Sequence, residues 1–160
     1  MDYNSIANSY NELYKEEQLK KLEIIKDYLK VKKNANLLDV GCGTGISTNL
    51  FKCNTFGIDP SKELLKLGKG NLIQGKAEAL PFKEKSFDII LAITSIHNFS
   101  DPKKALKEMK RVAKPKAQIV ITLLKKSQKY FKLKELLKNE LNILNEIDEE
   151  KDTIFICKHD

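Results

Sequence analysis

The stretch LLDVGCGTG, residues 37–45, constrains the fold of this chain more than any other part of its sequence. A short apolar run leads directly into three glycines at alternate positions, Gly41, Gly43 and Gly45. Because glycine has no Cβ, such a loop can turn tightly and can bring backbone N–H groups against a ligand at the start of a helix. The stretch therefore predicts a buried strand followed by a ligand-binding loop.

The rest of the chain alternates short apolar runs with helical patterns, which is typical of a βαβ series built on a parallel sheet. The last two runs alternate apolar and polar residues across the polar link EEKD, which predicts an antiparallel hairpin at the sheet edge. The predicted fold is α/β, a seven-stranded, mostly parallel sheet with helices on both faces and a C-terminal hairpin. The predicted strands are NLLDV, NTFGID, NLIQG, SFDIILAIT, AQIVITLL, LNILNEID and TIFICKH.

Helices are predicted between these strands, and several have recognisable ends. Ser61 is expected to cap a helix in SKELLKLGKG, and Asp101 a helix in SDPKKALKEMKRVAK. In the latter, Pro102 takes the first helical position and Pro115 ends the helix. Further helices are expected over residues 12–30, in ISTNLF directly after the glycines, and in SQKYFKLKELLKNE. The last of these has a predicted apolar face formed by Tyr130, Phe131, Leu133, Leu136 and Leu137.

The length of 160 residues predicts one domain over residues 1–160, with residues 1–30 as a helical lead-in or lid. No apolar run approaches the ~18 residues that a membrane span needs, and the polar N-terminus lacks a secretory core. We therefore expect a cytoplasmic protein with no membrane partner.

The three cysteines, Cys42, Cys53 and Cys157, are odd in number and are not spaced as CxxC. This pattern argues against a disulfide framework and against a zinc site, so we expect no metal. Structural or incidental roles are expected for all three, with a redox or metal role as the alternative.

The net charge of +7 is unevenly distributed. Residues 103–138 hold 13 Lys or Arg against two acids, whereas residues 139–160 hold seven acids against two Lys. Arg111 is the only Arg, and bidentate phosphate or base recognition favours Arg over Lys. The basic segment is either a solvated surface or a patch that faces an acidic or nucleic-acid partner.

Two acids near the glycines indicate the kind of ligand. Asp59 ends the second predicted strand, where a carboxylate can accept hydrogen bonds from the two hydroxyls of a ribose. The loop reads GxGxG, and Ile46 stands where a dinucleotide-binding GxGxxG loop has its third glycine. Asp39, two residues before the loop, suits a ligand with an ammonium group better than one with a phosphate. This pattern favours S-adenosylmethionine and disfavours a nicotinamide-dependent oxidoreductase.

Nearly the whole chain resembles the class I S-adenosylmethionine-dependent methyltransferases. Within that class it is similar to the small subgroup of the ubiquinone- and menaquinone-biosynthesis C-methyltransferases, which have a Rossmann-like fold. The resemblance is carried by LLDVGCGTG, GIDPS, GKAEALPFKEKSFDII, SIHNFSDPKKALKEMKRVAKP and IVITLL. It implies an enzyme that transfers a methyl group from S-adenosylmethionine.

The resemblance also implies which residues hold this cofactor. Asp39 would face its amino end, the three glycines its methionine and ribose portions, and Asp59 its ribose hydroxyls. One departure is Lys76, which stands where the family commonly has an Asp that bonds the adenine amino group, and a Lys cannot accept that bond. The remaining implied contacts are Pro60, Ala77 and Glu78 near the adenine, Thr94 at the methyl-transfer mouth, and Tyr3 and Tyr10 covering the cofactor. For the two tyrosines, packing of the first helix is the alternative.

His97, in SIHNF after the fourth strand, is the candidate general base. This subgroup often has a histidine there, and the ordinary pKa of histidine suits proton abstraction near neutral pH. A hydrogen-bonding structural role is the alternative. The (Asn/Asp)-Pro-Pro-aromatic signature of amino-methyltransferases is absent after strand four, which argues against a base-amino or glutamine methyltransferase.

The acceptor is not identified by the sequence. Few residues are left over to cover a pocket, so we expect an open site whose rim includes Lys125, Lys126 and Lys129. Such a site suits a macromolecular or anionic acceptor, with tRNA as one example, or a pocket completed by a partner chain or a second copy. The alternative function is a catalytically silent module that binds S-adenosylmethionine or serves as the partner subunit of another methyltransferase.

Overall fold

A computed structural model describes the backbone of residues 3–160 and the side chains of residues 12–160. Its seven strands form one sheet in the order β3-β2-β1-β4-β5-β7-β6. The first five strands in that order pair in parallel, and β7 pairs antiparallel with both β5 and β6. The predicted α/β fold and C-terminal hairpin are thereby confirmed. The strands are β1 Asn36–Val40, β2 Asn54–Asp59, β3 Leu72–Gln74, β4 Phe87–Ala92, β5 Ala113–Leu124, β6 Asn142–Asp148 and β7 Asp152–Lys158.

Within residues 3–160, four α-helices accompany the sheet, together with two short 3₁₀ turns at Thr48–Leu50 and Ile96–Asn98. The predicted N-caps are confirmed, because Ser61 accepts the N–H of Leu64 and Asp101 accepts the N–H of Lys104. No helix in the described part of the chain is long and apolar enough to cross a membrane. The helices are α1 Tyr3–Tyr28, α2 Lys62–Lys66, α3 Pro102–Val112 and α4 Tyr130–Glu140.

The predicted helix in ISTNLF is wrong, since only the 3₁₀ turn Thr48–Leu50 forms there. Side-chain bonds hold this segment together with a few backbone bonds, such as that from the Asn49 N–H to the Gly45 carbonyl. The Thr48 hydroxyl donates to Asp39 at 2.9 Å, and the Asn49 amide donates to the carbonyls of Gly45 and Lys69. Ser, Thr and Asn compete in this way with helical hydrogen bonding.

Pro115 does not end α3, which stops at Val112. The last carbonyls of α3 are taken by the loop before β4, where the N–H groups of Lys85 and Ser86 donate to Arg111 and Val112. Pro115 lies in β5 at an irregularity of the β4–β5 pairing, a position at which a strand tolerates proline.

The apolar face of α4 is narrower than predicted. Leu133 and Leu137 are buried, but the side chain of Phe131 is 81% exposed. Helical residues that are two positions apart in sequence lie about 200° apart around the helix axis, so Phe131 and Leu133 cannot share one face. The ring of Phe131 instead meets Tyr130 edge-on at 5.2 Å between centroids.

Apolar side chains cover both faces of the sheet. Neighbouring residues of one strand enter opposite layers, as Leu37 and Leu38 do in β1. One layer packs α3 and α4 through side chains such as Leu106 and Leu133, and the other packs α1 through Leu22. This two-sided burial explains the near-continuous apolar strands, because parallel sheets are covered on both faces.

A buried ion pair fastens α1 to the sheet. The Lys21 ammonium lies 3.3 Å from the Asp152 carboxylate, and the two side chains are 2% and 0% exposed. Breaking such a pair by removing one partner leaves an uncompensated buried charge. The pair therefore fixes α1 against the first residue of β7.

The core predicts a large contrast between two phenylalanines. Phe155→Ala removes a fully buried ring from β7 and should lower the free energy of unfolding by about 3–5 kcal/mol. Phe131→Ala removes an exposed ring and should change it by about 0.5 kcal/mol or less. Urea unfolding followed by circular dichroism measures both, and equal losses would contradict the assignment of Phe131 to the surface.

Candidate active site

The glycine loop is held against the ends of β1 and β2. The N–H groups of Gly41 and Cys42 both donate to the carbonyl of Ile58, at 2.8 and 3.1 Å. Because β1 pairs with β2 on one side and with β4 on the other, the loops that follow these three strands meet at one edge of the sheet. Ligands of open parallel sheets bind at this edge.

Two of the glycines are required for different reasons. A Cβ on Gly41 would lie 2.5 Å from the Cβ of Ser95, so the loop after β4 leaves no room for a side chain there. A Cβ on Gly43 would meet nothing closer than a Leu64 methyl at 3.9 Å. With its φ of +55°, Gly43 needs the left-handed conformation, and its open side leaves the backbone accessible to a ligand.

Asp59 holds the loop in place through both of its carboxylate oxygens. Oδ2 accepts the N–H of Gly43 at 2.9 Å, and Oδ1 accepts the N–H of Ser61 at 2.8 Å. A carboxylate oxygen can accept more than one hydrogen bond, so each still has capacity for a ligand hydroxyl. Asp59 is therefore placed to fix the loop and to accept hydrogen bonds from a vicinal diol.

Asp39 lies below the loop, 1% exposed, with one oxygen bonded and the other not. Oδ2 accepts the Thr48 hydroxyl, whereas the buried Oδ1 has no partner among the described residues. Burial raises the pKa of Asp39 to about 7; the hydrogen bond from Thr48 lowers it and the nearby charge of Asp59 raises it. A cationic ligand group would supply what this carboxylate lacks.

Four predicted cofactor residues line one small cavity beside the loop. The cavity of about 100 Å³ is bounded by Gly41, Pro60, Ala77 and Glu78, together with Phe99 from the loop after β4. Glu78 also accepts the N–H of Asp101 at 3.1 Å, which ties this wall to the start of α3. The fold thus brings together residues that are far apart in sequence.

Thr94 adopts a strained conformation at the end of β4. Its φ of +49° is unusual for a β-branched residue. Its N–H donates to the Thr122 hydroxyl at 2.7 Å, while its own hydroxyl donates to Asp152 at 2.7 Å and accepts from Lys21 at 2.8 Å. The side chain of Thr94 is thus bonded to the buried ion pair.

Sequence reasoning missed Lys21, Asp152 and Thr122 as members of this region. A signal was present for Lys21, which stands beside Leu22 and four residues before Ile25, so it falls on the apolar face of α1. A charged residue at such a position needs a buried partner.

His97 lies in the 3₁₀ turn Ile96–Asn98 and is half-buried. Its Nδ1 is buried and has no partner among the described residues, and its carbonyl accepts from the Lys129 ammonium at 3.1 Å. Burial lowers the pKa of His97; the charge of Asp152 acts in the opposite direction, and those of Lys129 and Lys21 lower the pKa further.

A larger cavity of about 540 Å³ lies on the other side of Phe99 and Ser100, which line both cavities. It lies between the start of α3 and α4, and its apolar lining residues include Phe99, Leu133 and Leu136. Its lysines are Lys103, Lys129 and Lys132. Of the predicted rim residues Lys129 therefore lines the cavity, whereas Lys125 contacts Asp148 and Glu149 of the hairpin.

Tyr3 and Tyr10 cannot be placed, because their side chains lie outside the described residues. Within residues 12–160, no group of three His, Cys, Asp or Glu side chains is arranged to hold a metal ion. Cys42 and Cys157 are buried, and burial raises the pKa of each thiol.

Comparison with known proteins assigns a family to this architecture. The sequence profile of the family described as "Methyltransferase domain" matches residues 38–121, which extend from β1 into β5.

Among curated relatives, an uncharacterized protein of Methanocaldococcus jannaschii is 32% identical over 157 residues, which is 95% of this chain and 62% of that protein. A demethylmenaquinone methyltransferase of Staphylococcus aureus is 33% identical over 137 residues, which is 74% of this chain and 56% of that protein. The chain thus spans less than two thirds of the length of these relatives.

A solved structure with the same fold is a SAM-dependent methyltransferase from Aquifex aeolicus. It superposes with a TM-score of 0.70 over 86% of this chain and 88% of the other, at 22% identity. At that identity the likeness establishes the fold.

The raised pKa of Asp39 predicts a pH-dependent cost to stability. Between pH 4 and 7 the folded protein keeps a proton that the unfolded chain releases, so the free energy of unfolding falls as pH rises through this window. Asp39→Asn cannot ionise, so its free energy of unfolding should not fall in this window. The difference in free energy of unfolding, variant minus wild type, should therefore increase between pH 4 and 8 by up to about 4 kcal/mol.

Urea unfolding at several pH values measures this difference. Asp88→Asn is the matched control, because Asp88 is a half-exposed carboxylate at the opposite end of the sheet, paired with Lys114. It should alter stability by about 1 kcal/mol or less. Parallel pH profiles for the wild type and Asp39→Asn would contradict the assignment.

Proposed function

We propose that this chain, which belongs to the methyltransferase family whose profile matches residues 38–121, transfers a methyl group from S-adenosylmethionine to an acceptor. In this proposal the acceptor binds beside Phe99. One observation carries the proposal most directly. Asp39 keeps an unpartnered buried oxygen, and Asp59, which binds the N–H of Gly43, keeps accepting capacity beside the open backbone of that glycine. These groups fit the ammonium and the ribose hydroxyls of the donor.

The proposed contacts with the donor follow from this arrangement. Asp39 takes the ammonium, Asp59 takes the ribose hydroxyls, and the backbone of Gly41, Gly43 and Gly45 lies along the donor. Pro60, Ala77 and Glu78 form the adenine cavity, where Lys76 cannot accept a bond from the adenine amino group. Glu78 and backbone groups are left to hold that edge. Tyr3 and Tyr10 stay predictions as a cover for the donor, as does Thr94 at the methyl-transfer mouth.

Catalysis in this proposal rests on positioning and on one base. S-adenosylmethionine supplies a methyl group on a sulfonium, which is already a strong electrophile. The chain's part is to align the acceptor with that methyl, exclude water and remove a proton where the acceptor carries one. We assign the proton removal to His97, because its lowered pKa keeps the ring neutral, and so able to accept a proton, at pH 7.

The acceptor proposed here is a small apolar ring with an acidic hydroxyl. The cavity of about 540 Å³ next to Phe99 supports this, since its lining combines apolar side chains such as Leu133 and Leu136 with three lysines. The name of the Staphylococcus aureus relative points to a quinone-type substrate of that protein.

A macromolecular anion such as tRNA is the second candidate, and the lysines of residues 103–138 favour it. Several of these lysines are, however, paired with the acidic C-terminal segment. Lys110 bonds Glu140 at 2.9 Å and Lys134 bonds Glu146 at 2.6 Å. The two charge blocks of the sequence thus partly neutralise one another within the fold. A silent binding module or partner subunit is not favoured, because the named relative is a methyltransferase.

The ribose assignment predicts a loss of donor binding in Asp59→Ala. This change removes the ribose acceptor and the anchor of the Gly43 N–H, so affinity for S-adenosylhomocysteine should fall by about tenfold to a hundredfold. Isothermal titration calorimetry measures it, with Asp88→Asn as the control that keeps wild-type affinity. Binding of NAD without binding of S-adenosylhomocysteine would overturn the proposed function.

The base assignment predicts that His97→Ala lowers turnover by about 10²- to 10⁴-fold while donor affinity stays unchanged. The measurement is transfer of a labelled methyl group to extracts separated into lipid, RNA and protein fractions. His159→Ala is the matched control, since it removes the other histidine of the chain and should leave turnover unchanged. Label in the lipid fraction supports the proposed acceptor, whereas RNase-sensitive label favours the second candidate. Full turnover in His97→Ala would refute the base.

A further inference from the structure

A buried polar cluster joins three separate parts of the chain beneath the loop after β4. Its centre is the fully buried Asp152 at the start of β7. Oδ2 of Asp152 accepts from the Thr94 hydroxyl at 2.7 Å and pairs with the Lys21 ammonium of α1 at 3.3 Å. Oδ1 is also buried, yet it has no hydrogen-bond partner among the described residues.

The second incomplete group in this region is His97. Its buried Nδ1 is likewise without a partner, and the only other such side-chain atom in the described residues is Asp39 Oδ1. A buried polar atom left unpaired costs about 1–3 kcal/mol. His97 Nδ1 and Asp152 Oδ1 are not bonded to each other directly, and one water molecule between them would give both a partner. A carboxylate oxygen accepts only, and Nδ1 donates in one of the two neutral tautomers of histidine, so the two atoms are complementary.

The two groups are linked both by the chain and by charge. Thr94, which donates to Asp152, stands three residues before His97. Its left-handed φ of +49° sets the direction in which the chain leaves β4 toward His97. Strain of this kind persists only where surrounding bonds enforce it, and three hydrogen bonds do so here. The charged groups that act on His97 are Lys21 from α1, Lys129 from the segment before α4, and Asp152 from β7, the sole carboxylate among them.

We propose that Asp152 is a positioning residue for His97: one water molecule bridges the free Oδ1 of Asp152 and the Nδ1–H of His97, and Nε2 is left as the basic nitrogen. The pairing fixes the tautomer and the orientation of the ring, and it stabilises the imidazolium that forms when Nε2 takes a proton. The Lys21 ammonium balances the buried carboxylate, so the free enzyme keeps His97 neutral. That Nε2 then serves as the base for the acceptor rests on the proposed function.

Histidine NMR tests the pairing without any acceptor. The chain has only two histidines, so His159→Gln leaves His97 as the single imidazole in a ¹⁵N-labelled sample. In that background the neutral ring should carry its proton on Nδ1. Asp152→Asn should lower the pKa of His97 by about one unit and shift the neutral ring toward the Nε2–H tautomer. A predominantly Nε2–H ring before the change would overturn the proposal.

Two further variants separate positioning from a general loss of structure. Lys129→Met removes a cation that lowers the pKa of His97, so it should raise that pKa and leave the tautomer unchanged. If Asp152→Asn fails to fold because Lys21 is left unpaired, the double variant Lys21→Met/Asp152→Asn removes both buried charges together. It should show the same loss of the Nδ1–H tautomer. An unchanged tautomer in a folded Asp152 variant would refute the pairing.

Turnover distinguishes failure of this proposal from failure of the proposed function. If both hold, Asp152→Asn should lower kcat by about tenfold or more, with unchanged affinity for S-adenosylhomocysteine. If His97→Ala retains full turnover while NMR finds the Nδ1–H tautomer, the pairing stands and the base assignment fails. If His97→Ala is inactive and the tautomer is Nε2–H, the base stands and the positioning role of Asp152 is refuted.

Discussion

Burial of the sheet on both faces decides where charged side chains of this protein can meet a ligand. Interiors of the central strands, such as Ile89–Leu91, are packed by apolar side chains from both layers, which leaves no solvated face along these strands. Polar chemistry is thereby confined to the strand ends. At the carboxyl edge, Asp39, Asp59 and Thr94 lie at or beside the ends of three adjacent strands. Each is partly or wholly removed from water, so every hydrogen bond that it makes or lacks has a large effect.

The strand end at Asp59 shows how one side chain can serve both the fold and a ligand. Its carboxylate accepts N–H groups from Gly43 and Ser61, which belong to the loops after β1 and β2. The glycine loop therefore already has a defined shape before a ligand arrives. A preorganised loop saves the free energy that ordering it during binding would otherwise cost.

Local sequence patterns predicted the strands, the hairpin and the caps at Ser61 and Asp101, because these features depend on residues within a few positions of one another. The errors arose where distant partners replaced local ones. The helix expected after the glycines is lost to a bond between Thr48 and Asp39, and α3 stops before Pro115 because another loop takes its carbonyls.

The candidate site was predictable to a similar degree. The spacing of the glycines and of Asp39 and Asp59 in the sequence indicated a ligand-binding loop. The fold then brings the predicted adenine residues Pro60, Ala77 and Glu78 around one cavity. Local spacing could not reveal the pair of Lys21 and Asp152, because the two residues stand 131 positions apart in the sequence. The only sequence signal for Lys21 was its position on the apolar face of α1. A periodic pattern cannot identify the distant residue that pairs with a buried charge.

Asp39 and Asp152, the two buried carboxylates with a free oxygen among the described residues, differ in how their charge is balanced. Asp152 has a cation of the chain beside it, and its free oxygen therefore calls only for a neutral donor. Asp39 has a hydroxyl and a second carboxylate near it, and burial raises its pKa to about 7. Its free oxygen is stabilised in the charged form only when a cation arrives from outside. A ligand that carries a positive charge supplies what the Asp39 carboxylate lacks. In the proposed reaction, the acceptor gives its proton to His97, beside Asp152. These two requirements fit the proposed donor, whose amino group carries a positive charge, and the proposed acceptor, which gives up a proton.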